Sequence, residues 1–274
     1  MYCMKLATLI LLLALALSAT MAVAWSIARH PGRSGWIDVI WSFAIGGGGI
    51  AAALVPIGGA TTPRQWLVAG LVAFWALRLG LHIAVRTMRG GDDPRYAELK
   101  RQWGDAFERR LFWFLQVQAG AALLLALTIF VAARNPAPGL TLSDALGALV
   151  LLGAIVGEGV SDHQLARFRA DRTNKERVCD VGLWGVSRHP NYFFEWLGWV
   201  AYALIAIGPA GGFAWGWLAL SGPAFMYLLL LYVSGIPPLE AHMLQSRGDA
   251  FRAYQSRVSA FWPSLSAPAK DPRR

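Results

Sequence analysis

Residues 142 to 172 read LSDALGALVLLGAIVGEGVSDHQLARFRADR, and this stretch decides the fold class. Residues 142 to 162 are mostly apolar and match the ~20 residues that a helix needs to cross a hydrocarbon core. The run then ends in charge. Glu158 and Asp162 are four residues apart and so share one helix face; Gln164, Arg167, Arg169 and Arg172 follow as the helix leaves the bilayer. Carboxylates beside guanidinium groups suit a ligand with hydroxyl or amide donors at one end and phosphates at the other. A nucleotide cofactor has that layout.

Outward from this stretch the apolar pattern recurs. Of 274 residues, 56% are hydrophobic and only 15% are charged, which points to a membrane protein. Seven spans are predicted, over 5–27, 36–58, 66–86, 112–133, 142–162, 192–209 and 213–235. Pro31-Gly32, Pro63, the segment Pro136 to Gly139 and the segment Pro209 to Gly212 separate them. The expected fold is all-α, a polytopic transmembrane helical bundle of about seven spans. Gly46 to Gly49, Gly153 and Gly157 lie inside spans, where small residues admit close helix contact. Cys3 and Cys179 match neither a disulfide framework nor a zinc pattern, and no HExxH or CxxC occurs, so no metal site is expected. GxGxxG after a strand and GxxxxGK[ST] are likewise absent.

The charges orient the bundle. With loops alternating sides, one side carries only Lys5, Arg64 and Arg134. The other takes Arg29, Arg33, the basic loops 86–110 and 163–191, and the C-terminal segment. The positive-inside rule makes the second side cytoplasmic, with the amino terminus outside, in a membrane such as the bacterial inner membrane. The net charge of +9 then reports topology and attraction to anionic lipid or a phosphorylated cofactor, and nucleic acid is not an expected partner. Lys5 followed by an apolar run and Ala22-Val23-Ala24 also resembles a cleavable signal. However, the run from Leu6 to Trp25 exceeds the usual 7 to ~15-residue h-region, and Arg29 and Arg33 oppose export.

Two further segments read as amphipathic helices on the cytoplasmic side. Asp93-Pro94 offers an N-cap and a first-turn proline, after which Tyr96, Leu99, Trp103 and Phe107 fall on one face. Phe251, Tyr254 and Val258 share a face while Arg252 and Arg257 look elsewhere.

Polar residues in or beside spans locate the chemistry: Asp38; Arg78, His82 and Arg86; Glu158 and Asp162; Asn191 and Glu195. Arg78, His82 and Arg86 recur every four residues, and Arg78 lies about 12 Å deeper than Arg86. A buried arginine costs about 3 kcal/mol on insertion scales unless it meets water or a partner, and Asp38 or Glu158 is the candidate partner. A structural ion pair would satisfy the same pattern.

Ser161-Asp162 with Arg169, Gly182-Leu183-Trp184, the run Ser187 to Tyr192 with Glu195, and Glu240 ahead of Tyr254 and Pro263 together carry a family likeness. Over residues 155–265 the chain resembles the C-terminal domain of the steroid 5-alpha-reductase superfamily, and most of all a bacterial branch of it. Isoprenylcysteine methyltransferases have a similar Arg-His-Pro-x-Tyr element. The resemblance implies that NADPH is held by Glu158, Asp162 and Arg169, by Asn191 and Glu195 around its nicotinamide or ribose part, and by Arg188 and His189 near its phosphates. Tyr192 and His242 are additional cofactor-binding candidates. Residues 1–140 would then form the substrate side, 141–265 the cofactor region and 266–274 a disordered tail. The chain departs from the steroid reductases in lacking a glutamate on the second span and a tyrosine on the third, and Phe194 stands where a small residue is common.

The expected function is NADPH-dependent reduction of an activated carbon-carbon double bond in a lipid, steroid or isoprenoid-like substrate, with Arg78, His82 and Asp38 as the catalytic candidates. S-adenosylmethionine-dependent methyl transfer is the alternative within enzymes. A non-catalytic lipid-binding protein is the alternative outside them.

Overall fold

In hydrocarbon every backbone N–H and C=O must be satisfied within its own segment, so the apolar runs fold as helices. The computed structural model describes residues 2–57, 60–90, 93–209 and 211–264; the tail expected over 266–274 lies outside them. The helices are α1 (Tyr2–Ala28), α2 (Trp36–Leu54), α3 (Pro63–Gly90), α4 (Pro94–Trp103), α5 (Phe107–Ala133), α6 (Leu142–Ala170), α7 (Pro190–Ile207), α8 (Ser221–Leu228) and α9 (Ile236–Gln255). A π-helical turn, Leu229–Val233, follows α8.

Among the described residues, six helical stretches are long and apolar enough to cross a membrane: Cys3–Ala28, Trp36–Leu54, Pro63–Gly90, Arg95–Ala133, Leu142–Ala170 and Ala214–Gln255. The protein is an integral membrane protein and a polytopic helical bundle. The expected span over 192–209 corresponds to α7, which has only 18 residues. Its opening turns hold Asn191, Tyr192 and Glu195.

The chain forms two compact units, Met1–Gly147 with Tyr202–Gly222, and Ala148–Ala201 with Pro223–Arg274. In the first, α2 packs against α1, α3 and α5, and α1 against α5. Lipid is as apolar as leucine, so close fit rather than water exclusion holds such helices together. The glycine run of α2 supplies the fit: a Cβ added at Gly46 would lie 2.4 Å from the Ala76 Cβ, and one at Gly49 would lie 2.6 Å from the Ile129 Cδ1. Gly153 behaves differently from the expectation of helix contact, since a Cβ there meets nothing within 4 Å.

The start of α3 is fixed by Arg64, which is 2% exposed. Its Nε and one Nη2 hydrogen go to the Asp144 carboxylate at 2.7 and 2.8 Å, and the other Nη2 hydrogen goes to the Gly139 carbonyl at 2.7 Å. Nη1 donates to the carbonyls of Asn135 and Ala137. All five guanidinium hydrogens are thus spent, which is what makes a buried arginine tolerable. Removing one partner of such a pair typically costs about 3–5 kcal/mol. Arg134 lies over the last carbonyls of α2, donating to Ala53 and Val55, where the helix dipole favours a cation.

In the second unit, α7 lies against α6. Leu151 and Ala154 face Gly198, and the Phe194 ring fills the space a side chain at Gly157 would need. The segment after α9 is strapped to the loop before α7: Arg188 N–H donates to the Ser259 carbonyl at 2.8 Å, Ser264 N–H to the Val186 carbonyl at 2.9 Å, and Ser187 Oγ to the Phe261 carbonyl at 2.9 Å. Phe261 sits buried among Phe193, Trp196 and Tyr227. The expected apolar face of the C-terminal segment is present, with Phe251, Tyr254 and Val258 buried as one cluster.

Candidate functional site

The second unit contains a cavity of about 440 Å³, built from the end of α6, the loop after it and α9. The loop is shaped by local hydrogen bonds. Asp171 accepts from the N–H of Thr173 at 2.9 Å and from its hydroxyl at 2.7 Å, and Asn174 donates back to the Phe168 carbonyl at 3.1 Å. Gly182, at φ +61°, lies so close to the Gln164 amide that a Cβ would be 2.7 Å away. Gln164 in turn accepts from the Leu183 N–H, and the indole N–H of the buried Trp184 donates to the Ser161 carbonyl at 2.9 Å. Burial pushes up the pKa of the Cys179 thiol, so this cavity-wall cysteine behaves as a packing group.

Arg169, Arg172, Lys175, Arg177, Arg188 and Arg247 all border the cavity, against a single carboxylate, Asp171. Phe168, Met243, Phe251 and Tyr254 complete it with flat and apolar surface. Glu240, on α9, organises the inner end. Its carboxylate accepts from Arg188 Nε at 2.8 Å, Arg188 Nη2 at 3.2 Å and Gln255 Nε2 at 2.7 Å, and pairs with His189 Nε2 at 2.9 Å. Arg188 Nη1 is spent on the carbonyls of Val258 and Gln255. Arg188 is therefore largely a structural clasp as well as a wall cation.

His189 is 3% exposed. The Tyr192 ring lies parallel to its ring, with interplanar angle 10° and centroids 5.5 Å apart. Burial lowers its pKa, against the opposing pull of Glu240, so the ring is neutral near pH 7. Its Nδ1 is buried with no hydrogen-bond partner among the described residues.

Of the residues expected to hold a cofactor, Arg169, Arg188 and His189 border this cavity. Glu158, Asp162, Asn191, Tyr192, Glu195 and His242 do not. Glu158 is buried on α6, and Glu195 accepts from the Trp199 indole at 2.9 Å. His242 is exposed on α9. Lys175, Arg177 and Arg247 escaped the sequence reading as individuals: the first two belong to a loop recognised only as basic, and Arg247 to a C-terminal segment counted only for its charge.

The catalytic candidates lie in the first unit. Asp38, at the start of α2, is ion-paired with Arg95 and accepts from the Tyr96 hydroxyl at 3.2 Å. Arg95 also binds Asp93, whose carboxylate caps α4 by accepting from the Arg95 N–H at 2.9 Å. Arg78 is half-buried on α3, and His82 is exposed one turn on.

The lining of the cavity fits a phosphorylated cofactor: cations for phosphate oxygens, and aromatic and thioether surface for a flat ring. A family model described as "Protein of unknown function (DUF1295)" matches residues 24–258. No curated protein and no solved structure matches the chain.

Proposed function

We propose that this chain, which belongs to the DUF1295 family, is an NADPH-dependent reductase of an activated carbon-carbon double bond in a lipid-like substrate. The observation that supports this most is the gathering of six cations around one cavity with aromatic walls. Arginine and lysine at that density match several phosphate charges. Adenosylmethionine carries a sulfonium cation and a single carboxylate, so such a wall disfavours it.

Arg169, Arg172, Lys175, Arg177 and Arg247 would bind the phosphates of NADPH, and Phe168 and Phe251 would flank its rings. When bound, NADPH supplies a hydride. The substrate carbonyl would be polarised by Arg78 or His82, which donate to its oxygen as negative charge develops there. Asp38 has its carboxylate occupied by Arg95 and Tyr96, which favours the two α3 residues for this role. By the charge asymmetry of the loops, the cavity would open toward the cytoplasm.

In detergent, NADPH at a hundred times its Kd should stabilise the protein by about 2.7 kcal/mol, read as a raised Tm, while adenosylmethionine should leave it unchanged. Arg172→Glu combined with Lys175→Glu should abolish the NADPH shift without lowering the Tm of the ligand-free protein. A shift with adenosylmethionine alone would overturn the reductase reading.

A further inference from the structure

We propose that Glu240 is the positioning residue of the basic cavity: acting through Arg188 and Gln255, it folds α9 back on itself and so presents Leu239, Met243 and Arg247 to the ligand as one face. This rests on reading the cavity as the site of a phosphorylated cofactor.

Leu239, Met243 and Arg247 recur every four residues, so they lie along one side of the helix, and all three border the cavity. That side offers apolar surface first and a cation at its end. Immediately after Arg247 the helix turns a corner at Gly248, where φ is +49° and ψ −121°. A Cβ at Gly248 would meet nothing within 4 Å, so glycine is needed there for the backbone conformation and not for space. The corner is written into the sequence. Gly-Asp-Ala-Phe occurs at 104–107 and again at 248–251, and Gly104, just past the end of α4, has φ +49° and ψ −130°.

In a continuous helix Glu240 and Gln255 would stand about 22 Å apart along the axis. Across the corner they touch, Gln255 Nε2 donating to the Glu240 carboxylate at 2.7 Å. Arg188 closes the fold from outside: it gives Nε and Nη2 to Glu240 before the corner, and Nη1 to the carbonyls of Gln255 and Val258 beyond it. Phe251, Tyr254 and Val258, beyond the corner, form a buried cluster against which Met243 and Leu244 pack. Glu240 itself lies outside the cavity lining, so it acts on the ligand only through the residues it holds. A carboxylate suits that task. Arg188 and Gln255 bring three N–H groups to it, whereas an amide offers one oxygen and turns its own N–H groups toward theirs.

The full chain in detergent is titrated calorimetrically with ADP and with inorganic pyrophosphate. Both carry a diphosphate, but only ADP has a base and sugar to meet Leu239 and Met243. Glu240→Gln should weaken ADP about tenfold, the scale of one lost charge-assisted hydrogen bond. Pyrophosphate should bind the variant at least as tightly as the wild type, because a negative charge has left the neighbourhood of the cations. Gln255→Met severs only the tie across the corner and leaves the net charge unchanged; it should weaken ADP about fivefold and keep pyrophosphate within about twofold. This second variant decides the matter should Glu240→Gln fail to fold. Equal weakening of both ligands would make Glu240 a residue that merely holds the fold, and an ADP affinity that falls in neither variant would leave it no role. Either result overturns the proposal while leaving the cavity reading intact. A wild-type protein that binds neither ligand overturns the cavity reading itself.

Discussion

Asp93 shows how much one carboxylate can organise. It caps α4, binds the Arg95 guanidinium that also holds Asp38, and lies 3.7 Å from Arg86. Burial alone would raise its pKa, but the hydrogen bonds and charge of Arg95, helped by Arg86, outweigh this and hold it below its usual 3.8. The unfolded chain therefore takes up this proton at higher pH than the folded protein. Stability owed to the Asp93 charge is complete above the ordinary carboxylate range and is lost as pH falls through the lowered folded value. Asparagine caps a helix about as well as aspartate, so Asp93→Asn isolates the charge. Melting curves across pH should show the variant less stable at neutral pH and the two proteins converging in acid. A gap that persists unchanged in acid would assign the effect to packing instead.

At the scale of elements, what was legible in the sequence was what is local. The Asp93-Pro94 cap and the 251, 254, 258 stripe each depend on neighbours within a turn or two, and the structure shows both. Long-range partners carry no such signal. Asp38 was separable as an unusual carboxylate, but its partner Arg95 stands 57 residues away, on a helix that read only as amphipathic. Phe194 read as an intruder where a small residue is common; in the structure it fills the space above Gly157. The α6–α7 contact is thus a matched pair of a missing side chain and a large one. Gly157→Ala, whose Cβ would lie 2.4 Å from the Phe194 ring, should destabilise by about 1–3 kcal/mol, the usual cost of overpacking. Adding Phe194→Ala should recover part of that loss, in a double-mutant cycle read by Tm. Additive losses would mean that the two helices do not meet through this pair.

For the whole molecule, the fold class followed from hydrophobic run lengths alone, whereas the cavity needed the α9 residues Glu240 and Arg247 to return to the loop after α6, a closure that no local pattern encodes. The charge asymmetry also sharpens. Of the cations assigned to the sparse side, Arg64 is buried in its own hydrogen-bond set and Arg134 is engaged with the carbonyls that end α2, so neither acts as a surface charge there. A reporter fused after Arg274 should accordingly be cytoplasmic and one inserted at Thr61 should lie on the opposite side; both on the same side would overturn the orientation. The Arg64 set also imposes an order in time. Its counter-charge, Asp144, stands 80 residues later, which at about 5–20 residues per second of translation is roughly 4–16 s. Until then the cation at the start of α3 lacks its folded-state partner, and water or lipid headgroups would have to solvate it. A chain truncated between Ala133 and Asp144 lacks that counter-charge and should therefore be less stable than one that extends past Asp144.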